Sequence, residues 1–148
     1  MSGDGRQPDS LPGAHSSAYV FAVDPGGTIG MAFGIFAYEL QDVSCWTETD
    51  IREVMKAVSE AVDHGHLVVL VYEDFISSGS LSASGSQTLK QTGYLQWAGE
   101  DLGITVVRHV PQVRKKCLEQ ARTHPVQPHG AHEVDALAHL LAYERTHL

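Results

Sequence analysis

The sequence is poor in the residues that mark several special classes of protein. Only two of its 148 residues are cysteine, and Cys45 and Cys117 lie far apart, without the spacing of metal ligands. No apolar run approaches the roughly 20 residues of a membrane-spanning helix. The N-terminal segment also lacks the apolar core of a signal peptide. These absences predict a protein of a reducing, cytoplasmic environment that has no membrane partner.

Basic residues are scarce as well. Ten lysines and arginines stand against 18 acidic residues, so the formal net charge is −8, which argues against a nucleic-acid partner. Half of the basic residues nevertheless fall in one stretch: Arg108, Arg114, Lys115, Lys116 and Arg122. This concentration is consistent with a positive surface for nucleic acid, although a solvated helix face explains it equally well.

We expect residues 1–17 to form a disordered tail and residues 18–148 to fold as one domain. The strands predicted from apolar runs are 18–24, 29–40, 43–49, 66–75 and 104–110. The predicted helices are 49–65, a segment that runs from the Ser/Gly-rich loop at 77–86 to residue 101, a short helix that begins at 111, and 132–146. Three successive strands followed by alternating helices and strands predict an α/β domain with a mixed sheet, in which an antiparallel meander joins parallel strands.

A glycine-rich turn follows the first predicted strand, in the stretch VFAVDPGGTIG. It is not a phosphate-binding P-loop, because Gly30 is followed by Met31 and Ala32 where that motif has Lys and Ser or Thr. It is not a dinucleotide fingerprint either, since its glycines have the wrong spacing and a strand is predicted to follow. The acidic residue just before the turn, Asp24, therefore needs another explanation.

Acidic side chains stand at the ends of two predicted strands and on the last predicted helix. Asp24 ends the first strand and Glu73 closes the apolar run 67–72, while His132 and Asp135 lie one turn apart on one helix face. Carboxylates gathered at one sheet edge repel one another and need a cation to stay ionised. Oxygen ligands with one imidazole suit Mg²⁺ or Mn²⁺. Each acid taken alone is equally well explained as an exposed loop or helix-end residue, so the metal site is inferred from their joint occurrence.

Five segments of the chain, in order, resemble a known family of nucleases. They are FAVDPGGTIGMAFG, LVVLVYEDF, LKQTGYLQWAGEDLGITV, VPQVRKKCLEQ and HEVDALAHLLAY. Together they cover about residues 18–146 and are similar to the RuvC-like Holliday-junction resolvases of the RNase H-like nuclease superfamily. The resemblance implies an RNase H-like mixed sheet of five strands flanked by helices. The short segment before His132 favours a phage-encoded member.

The resemblance also implies the composition of a catalytic metal site. Asp24, Glu73 and Asp135 match the acids that bind two Mg²⁺ ions in the family, and Mn²⁺ is expected to substitute. His132 falls where family members have an acid or a histidine, which implies a fourth ligand or a proton-transfer group.

Residues that contact DNA are implied by the same resemblance. Lys115 or Lys116 corresponds to a basic residue near the scissile phosphate, and Arg108 and Arg114 belong to the same basic stretch. Phe75 resembles an aromatic that stacks on a junction base. It lies one residue nearer to the preceding acid than the family pattern has it.

The activity implied is that of a crossover junction endodeoxyribonuclease in DNA recombination and repair. Such an enzyme makes paired cuts in a Holliday junction, leaves 5′-phosphate and 3′-hydroxyl ends, and acts as a homodimer in a bacterial cell or a phage-infected host. Three alternatives stay open: a broader nuclease for flaps and forks, an RNase on the same fold, and a non-catalytic junction binder. A sugar-kinase or actin-like ATPase is excluded, because 148 residues leave no room for its second half.

Overall fold

The computed structural model describes residues 17–74 and 83–147, which form a five-stranded sheet with helices on both faces. The strands are β1 (Ala18–Asp24), β2 (Ile29–Phe36), β3 (Leu40–Glu48), β4 (Leu67–Glu73) and β5 (Thr105–His109). The helices are α1 (Ile51–Asp63), α2 (Ala83–Leu102), α3 (Pro111–Lys115), α4 (Leu118–Arg122) and α5 (Gly130–Thr146). The predicted tail lies outside the described residues except for Ser17.

The sheet has the mixed topology that the sequence predicts. Its strand order is β3-β2-β1-β4-β5. β1 pairs antiparallel with β2, and β2 pairs antiparallel with β3, which makes the meander. β4 lies parallel to both β1 and β5. The carboxyl ends of three neighbouring parallel strands, β1, β4 and β5, therefore meet at one edge.

Helices cover both faces of the central strands, which explains their continuous apolar sequence. Side chains alternate along β1, so Val20 and Ala22 pack towards α5 while Phe21 and Val23 pack towards α1 and α2. All four are buried. None of the helices in the described part of the chain has the length and apolarity that crossing a membrane requires.

The helices differ from the predicted ones in several details. Asp50, not Thr49, caps α1, since its carboxylate accepts a hydrogen bond from the Arg52 backbone N–H at 2.9 Å. The basic helix after Pro111 is divided into α3 and α4, with the buried Cys117 at the break. The last helix begins at Gly130, two residues earlier than predicted.

Candidate active site

Four of the predicted site residues meet at the carboxyl edge of the sheet. Asp24 ends β1 and Glu73 ends β4, on neighbouring parallel strands whose pairing runs up to Val23 and Tyr72. The beginning of α5 lies against the same edge and brings His132 and Asp135 to the two acids. Because β1 and β4 are buried on both faces, the positions of their ends are fixed. The packing of α5 against the sheet then brings His132 and Asp135 to the site.

Close packing of backbone on backbone holds α5 at this edge. Gly30, which pairs with Asp24 across β1 and β2, lies directly beneath His132. A Cβ atom at Gly30 would overlap the backbone carbonyl of His132. Only glycine allows the helix to approach this closely, so the last glycine of the turn positions His132.

Asp24 is largely buried and hydrogen-bonded to His132. Its Oδ2 atom lies 3.2 Å from His132 Nδ1, and its side chain is 16% exposed. Burial raises the pKa of Asp24 to about 6, the His132 hydrogen bond opposes that rise, and the negative charge of Asp135 adds to it. The carboxylate form of Asp24 is thus destabilised in the protein alone, and a bound cation would favour it.

Glu73 accepts two hydrogen bonds on a single oxygen. His139 Nε2 lies 3.0 Å and Arg114 Nε 2.8 Å from Oε1. Burial acts to raise the pKa of Glu73, but the His139 hydrogen bond and the Arg114 charge together outweigh it, and the pKa is lowered. Within the described residues no hydrogen bond ends on Oε2, so that oxygen is the one available to a ligand.

Arg114 lies between two of the acids. Besides Glu73 it contacts Asp135, with 3.2 Å between Nη1 and Oδ1, and its side chain is 23% exposed. The sequence predicted a DNA contact for Arg114, but in this structure its guanidinium is occupied by the acid cluster. Its role towards DNA stays a prediction.

The four side chains offer the donor types of a divalent-cation site. Three carboxylates and one imidazole are the oxygen-rich ligands that Mg²⁺ or Mn²⁺ prefers. Over residues 17–74 and 83–147, no group of three or more acidic, histidine or cysteine side chains has the geometry to hold a metal ion. Arg114 supplies the compensating positive charge for two of the acids instead. The residue types fit the ion, and in this structure Arg114 bridges Glu73 and Asp135.

The remaining predicted residues lie outside the acid cluster. Lys115 and Lys116 are exposed at the end of α3, next to Arg114. Arg108 is 58% exposed and lies 4.0 Å from Asp74. Phe75 falls outside the described residues, so the structure does not test its stacking role.

Two further contacts near the site were not predicted. Gln91 of α2 holds the glycine-rich turn, since its amide accepts from the Gly26 N–H at 2.8 Å and donates to the Gly26 carbonyl at 3.0 Å. His109, the β5 neighbour of Glu73, contacts His139. Of these residues, only His109 could have been found from the sequence, because it ends a parallel strand just as Glu73 does.

Comparisons with known proteins identify the fold. No protein-family model matches the chain, and no curated protein sequence matches it. Among solved structures, RuvC from T. thermophilus in complex with a Holliday junction substrate is similar, with a TM-score of 0.67 and 15% identity over 90% of this chain and 97% of that one. A second Thermus thermophilus RuvC structure gives a TM-score of 0.57 and 16% identity over 87% and 96% of the two chains. The predicted resemblance is confirmed in three dimensions: the protein has the RuvC fold, with its RNase H-like mixed sheet.

Proposed function

We propose that this protein is a metal-dependent endonuclease that resolves Holliday junctions by paired hydrolysis of phosphodiester bonds. The observation that carries the proposal is the meeting of Asp24, Glu73, Asp135 and His132 at one sheet edge, within a RuvC fold. These four residues come from three separate elements of the fold. Acidic residues that cluster on a surface only because they are close in sequence would not show this arrangement.

Asp24, Glu73 and Asp135 would hold the divalent ions, with His132 as a fourth ligand or a proton-transfer group. Two Mg²⁺ ions, for which Mn²⁺ substitutes, supply charge neutralisation and an activated water when bound there. Burial disfavours the carboxylate form of Asp24 in the protein alone, and a bound cation would stabilise that form. The expected products carry 5′-phosphate and 3′-hydroxyl ends.

The DNA surface proposed here lies next to the acids. Lys115 and Lys116 are exposed at the end of α3, one and two residues after Arg114, where their charges would meet phosphates beside the cluster. Arg108 adds a third exposed cation. The similar RuvC structure contains a Holliday junction substrate, which supports branched DNA as the ligand. Phe75 is the residue that we propose to stack on a base of the junction.

Two symmetric cuts require two active sites, so we propose a homodimer. Helix α2 presents the exposed aromatic Trp97, 63% exposed, beside Tyr94, with ring centroids 6.2 Å apart. Trp97→Glu is expected to yield monomers in sedimentation velocity, while Leu67→Glu, at another exposed apolar position, is the matched control. A wild-type protein that sediments as a monomer at micromolar concentration contradicts the dimer.

Cleavage assays on matched substrates test the function. With Mg²⁺, four-way junctions should be cut in preference to flaps, forks, linear duplex and RNA–DNA hybrid. Asp24→Asn should reduce junction cleavage by about a thousandfold or more and retain junction binding. Asp63→Asn, at an exposed position on α1, should leave cleavage unchanged. Equal rates on all substrates would favour the broader nuclease, and an unaffected Asp24→Asn would refute the site.

One observation favours the non-catalytic alternative, a protein that binds DNA junctions without cutting them. Arg114 already neutralises Glu73 and Asp135, so these acids have a structural partner without metal. Isothermal titration with Mn²⁺ separates the two functions. The nuclease requires Mn²⁺ binding that Asp24→Asn weakens, whereas a junction binder shows tight junction binding and no Mn²⁺ binding.

A further inference from the structure

A pair of buried histidines extends from the acid cluster into the core. His139 of α5 is fully buried and His109 at the end of β5 is 8% exposed. Their Nδ1 atoms lie 3.0 Å apart, and His139 Nε2 lies 3.0 Å from Oε1 of Glu73. The chain His109–His139–Glu73 thus links three elements, β5, α5 and β4, by side-chain hydrogen bonds.

The direction of the hydrogen bond to Glu73 follows from its acceptor. Glu73 accepts from Arg114 as a carboxylate, so His139 Nε2 is the donor in its contact with Oε1. The other nitrogen of His139, Nδ1, is paired with Nδ1 of His109. Burial lowers the pKa of His109 to about 4, which keeps that ring neutral.

Packing alone does not explain why residue 139 is a histidine. Its neighbours on α5, Ala138 and Leu140, are fully buried apolar residues, and a leucine at 139 would bury its side chain without a hydrogen-bond requirement. A buried imidazole is costly unless both nitrogens are paired, and here both are. A histidine at this position is therefore best explained by what it does to Glu73.

We propose that His139, supported by His109, is a positioning residue that directs Glu73 towards the metal. The inference rests on the proposed function. His139 and Arg114 both bond to Oε1, which holds the carboxylate in one orientation and leaves Oε2 without a partner in the described part of the chain. Hydrogen-bonded partners of ligating carboxylates orient them, and their loss typically weakens metal binding by about 10–100-fold. His139 performs this function for Glu73, and the contact with His109 holds the His139 ring in place.

Mn²⁺ affinity measured by isothermal titration, without DNA, tests the proposal. His139→Leu and His109→Leu should bind Mn²⁺ at least about tenfold more weakly than the wild type. His139→Gln, whose amide can donate to Glu73 and accept from His109, should recover affinity to within about threefold of wild type. His64→Gln changes an exposed histidine directly after the end of α1 and should bind Mn²⁺ as the wild type does. Circular dichroism verifies that each variant is folded.

The outcomes separate this inference from the proposed function. If Glu73→Gln weakens Mn²⁺ binding but folded His139→Leu does not, the positioning role is wrong and the metal site stands. If the wild type binds no Mn²⁺, both are wrong. If His139→Leu does not fold, the Mn²⁺ affinities of His109→Leu and His139→Gln decide the question. Equal tenfold losses of affinity in these two variants overturn the role. Nitrogen-15 spectra of the metal-free protein should show His139 protonated at Nε2, and a His139 without a proton at Nε2 overturns the role independently.

Discussion

The guanidinium of Arg114 bonds to Glu73 inside the acid cluster, with 2.8 Å between Nε and Oε1. The same guanidinium reaches Asp135 at 3.2 Å, so one cation from α3 joins acids from β4 and α5. All three side chains are less than a quarter exposed. Arg114 consequently holds the acids together in the protein alone, and its charge competes with any divalent ion for Glu73 and Asp135.

Arg114→Gln should destabilise the metal-free protein and increase its response to metal. Removal of the cation leaves two partly buried carboxylates without compensation, at a cost of about 1–2 kcal/mol. Denaturation in EDTA measures that loss, and Mg²⁺ should restore more stability to the variant than to the wild type. Arg122→Gln, which removes an exposed ion pair with Glu119, is the control and should change stability by less than about 0.5 kcal/mol. Equal Mg²⁺ responses in Arg114→Gln and wild type would contradict the competition.

Asp24 should make the metal-free protein less stable at neutral than at acidic pH. Burial raises the pKa of Asp24 from its ordinary value of 3.8 to about 6, so the folded state binds the proton more tightly than the unfolded state. The stability from this group is present below about pH 4 and is lost as the pH rises through about 6. The free energy of unfolding of Asp24→Asn should therefore exceed that of the wild type by roughly 1–3 kcal/mol at pH 7.

Urea denaturation in EDTA across this range measures the effect. The advantage of Asp24→Asn should shrink as the pH falls from 7 to 4, because the folded wild type takes up a proton on Asp24 near pH 6 while the unfolded chain stays largely ionised down to about pH 4. Asp63→Asn, at an exposed position, should show no such trend. A constant difference between Asp24→Asn and wild type at all pH values would show that burial of Asp24 is not the cause.

Gly30→Ala should disrupt the approach of α5 to the sheet. The added Cβ would overlap the His132 carbonyl, and two backbone segments cannot separate without loss of core contacts. We expect a loss of about 3 kcal/mol or more, measured by thermal unfolding, together with loss of Mn²⁺ binding. Gly27→Ala is the matched control, because a Cβ there meets nothing within 4 Å. Equal unfolding temperatures for the two variants would disprove the close approach.

Lys115→Ala should weaken junction binding and reduce its dependence on salt. Each phosphate contact that is lost should lower the slope of log affinity against log salt by about 0.9. Fluorescence anisotropy at several salt concentrations measures both effects. Lys56→Ala removes an exposed charge from α1 and should change neither affinity nor slope. If log affinity falls with log salt as steeply in Lys115→Ala as in the wild type, Lys115 does not contact DNA. The same measurement on Lys116→Ala then shows whether that residue makes the contact.

The order of elements and the mixed sheet were predictable because local signals are strong along most of the chain. Continuous apolar runs marked β1 and β4 as strands covered on both faces, and the apolar periodicity of α1 marked an amphipathic helix. The boundaries were less predictable. The break between α3 and α4 follows no proline or glycine, and it places Cys117 in the core, a tertiary demand that local propensity does not reveal.

The sequence alone determined which acids stand at strand ends, since an acidic residue that closes a buried strand is visible as the end of an apolar run. It also placed His132 and Asp135 on one helix face, because that spacing is a property of the helix itself. Only the tertiary structure decided which side chains partner these acids. The contacts of Glu73 with Arg114 and His139 span 41 and 66 positions, and that of Asp24 with His132 spans 108. Contacts at such separations follow from the packing of α3 and α5 on the sheet, which no local pattern encodes.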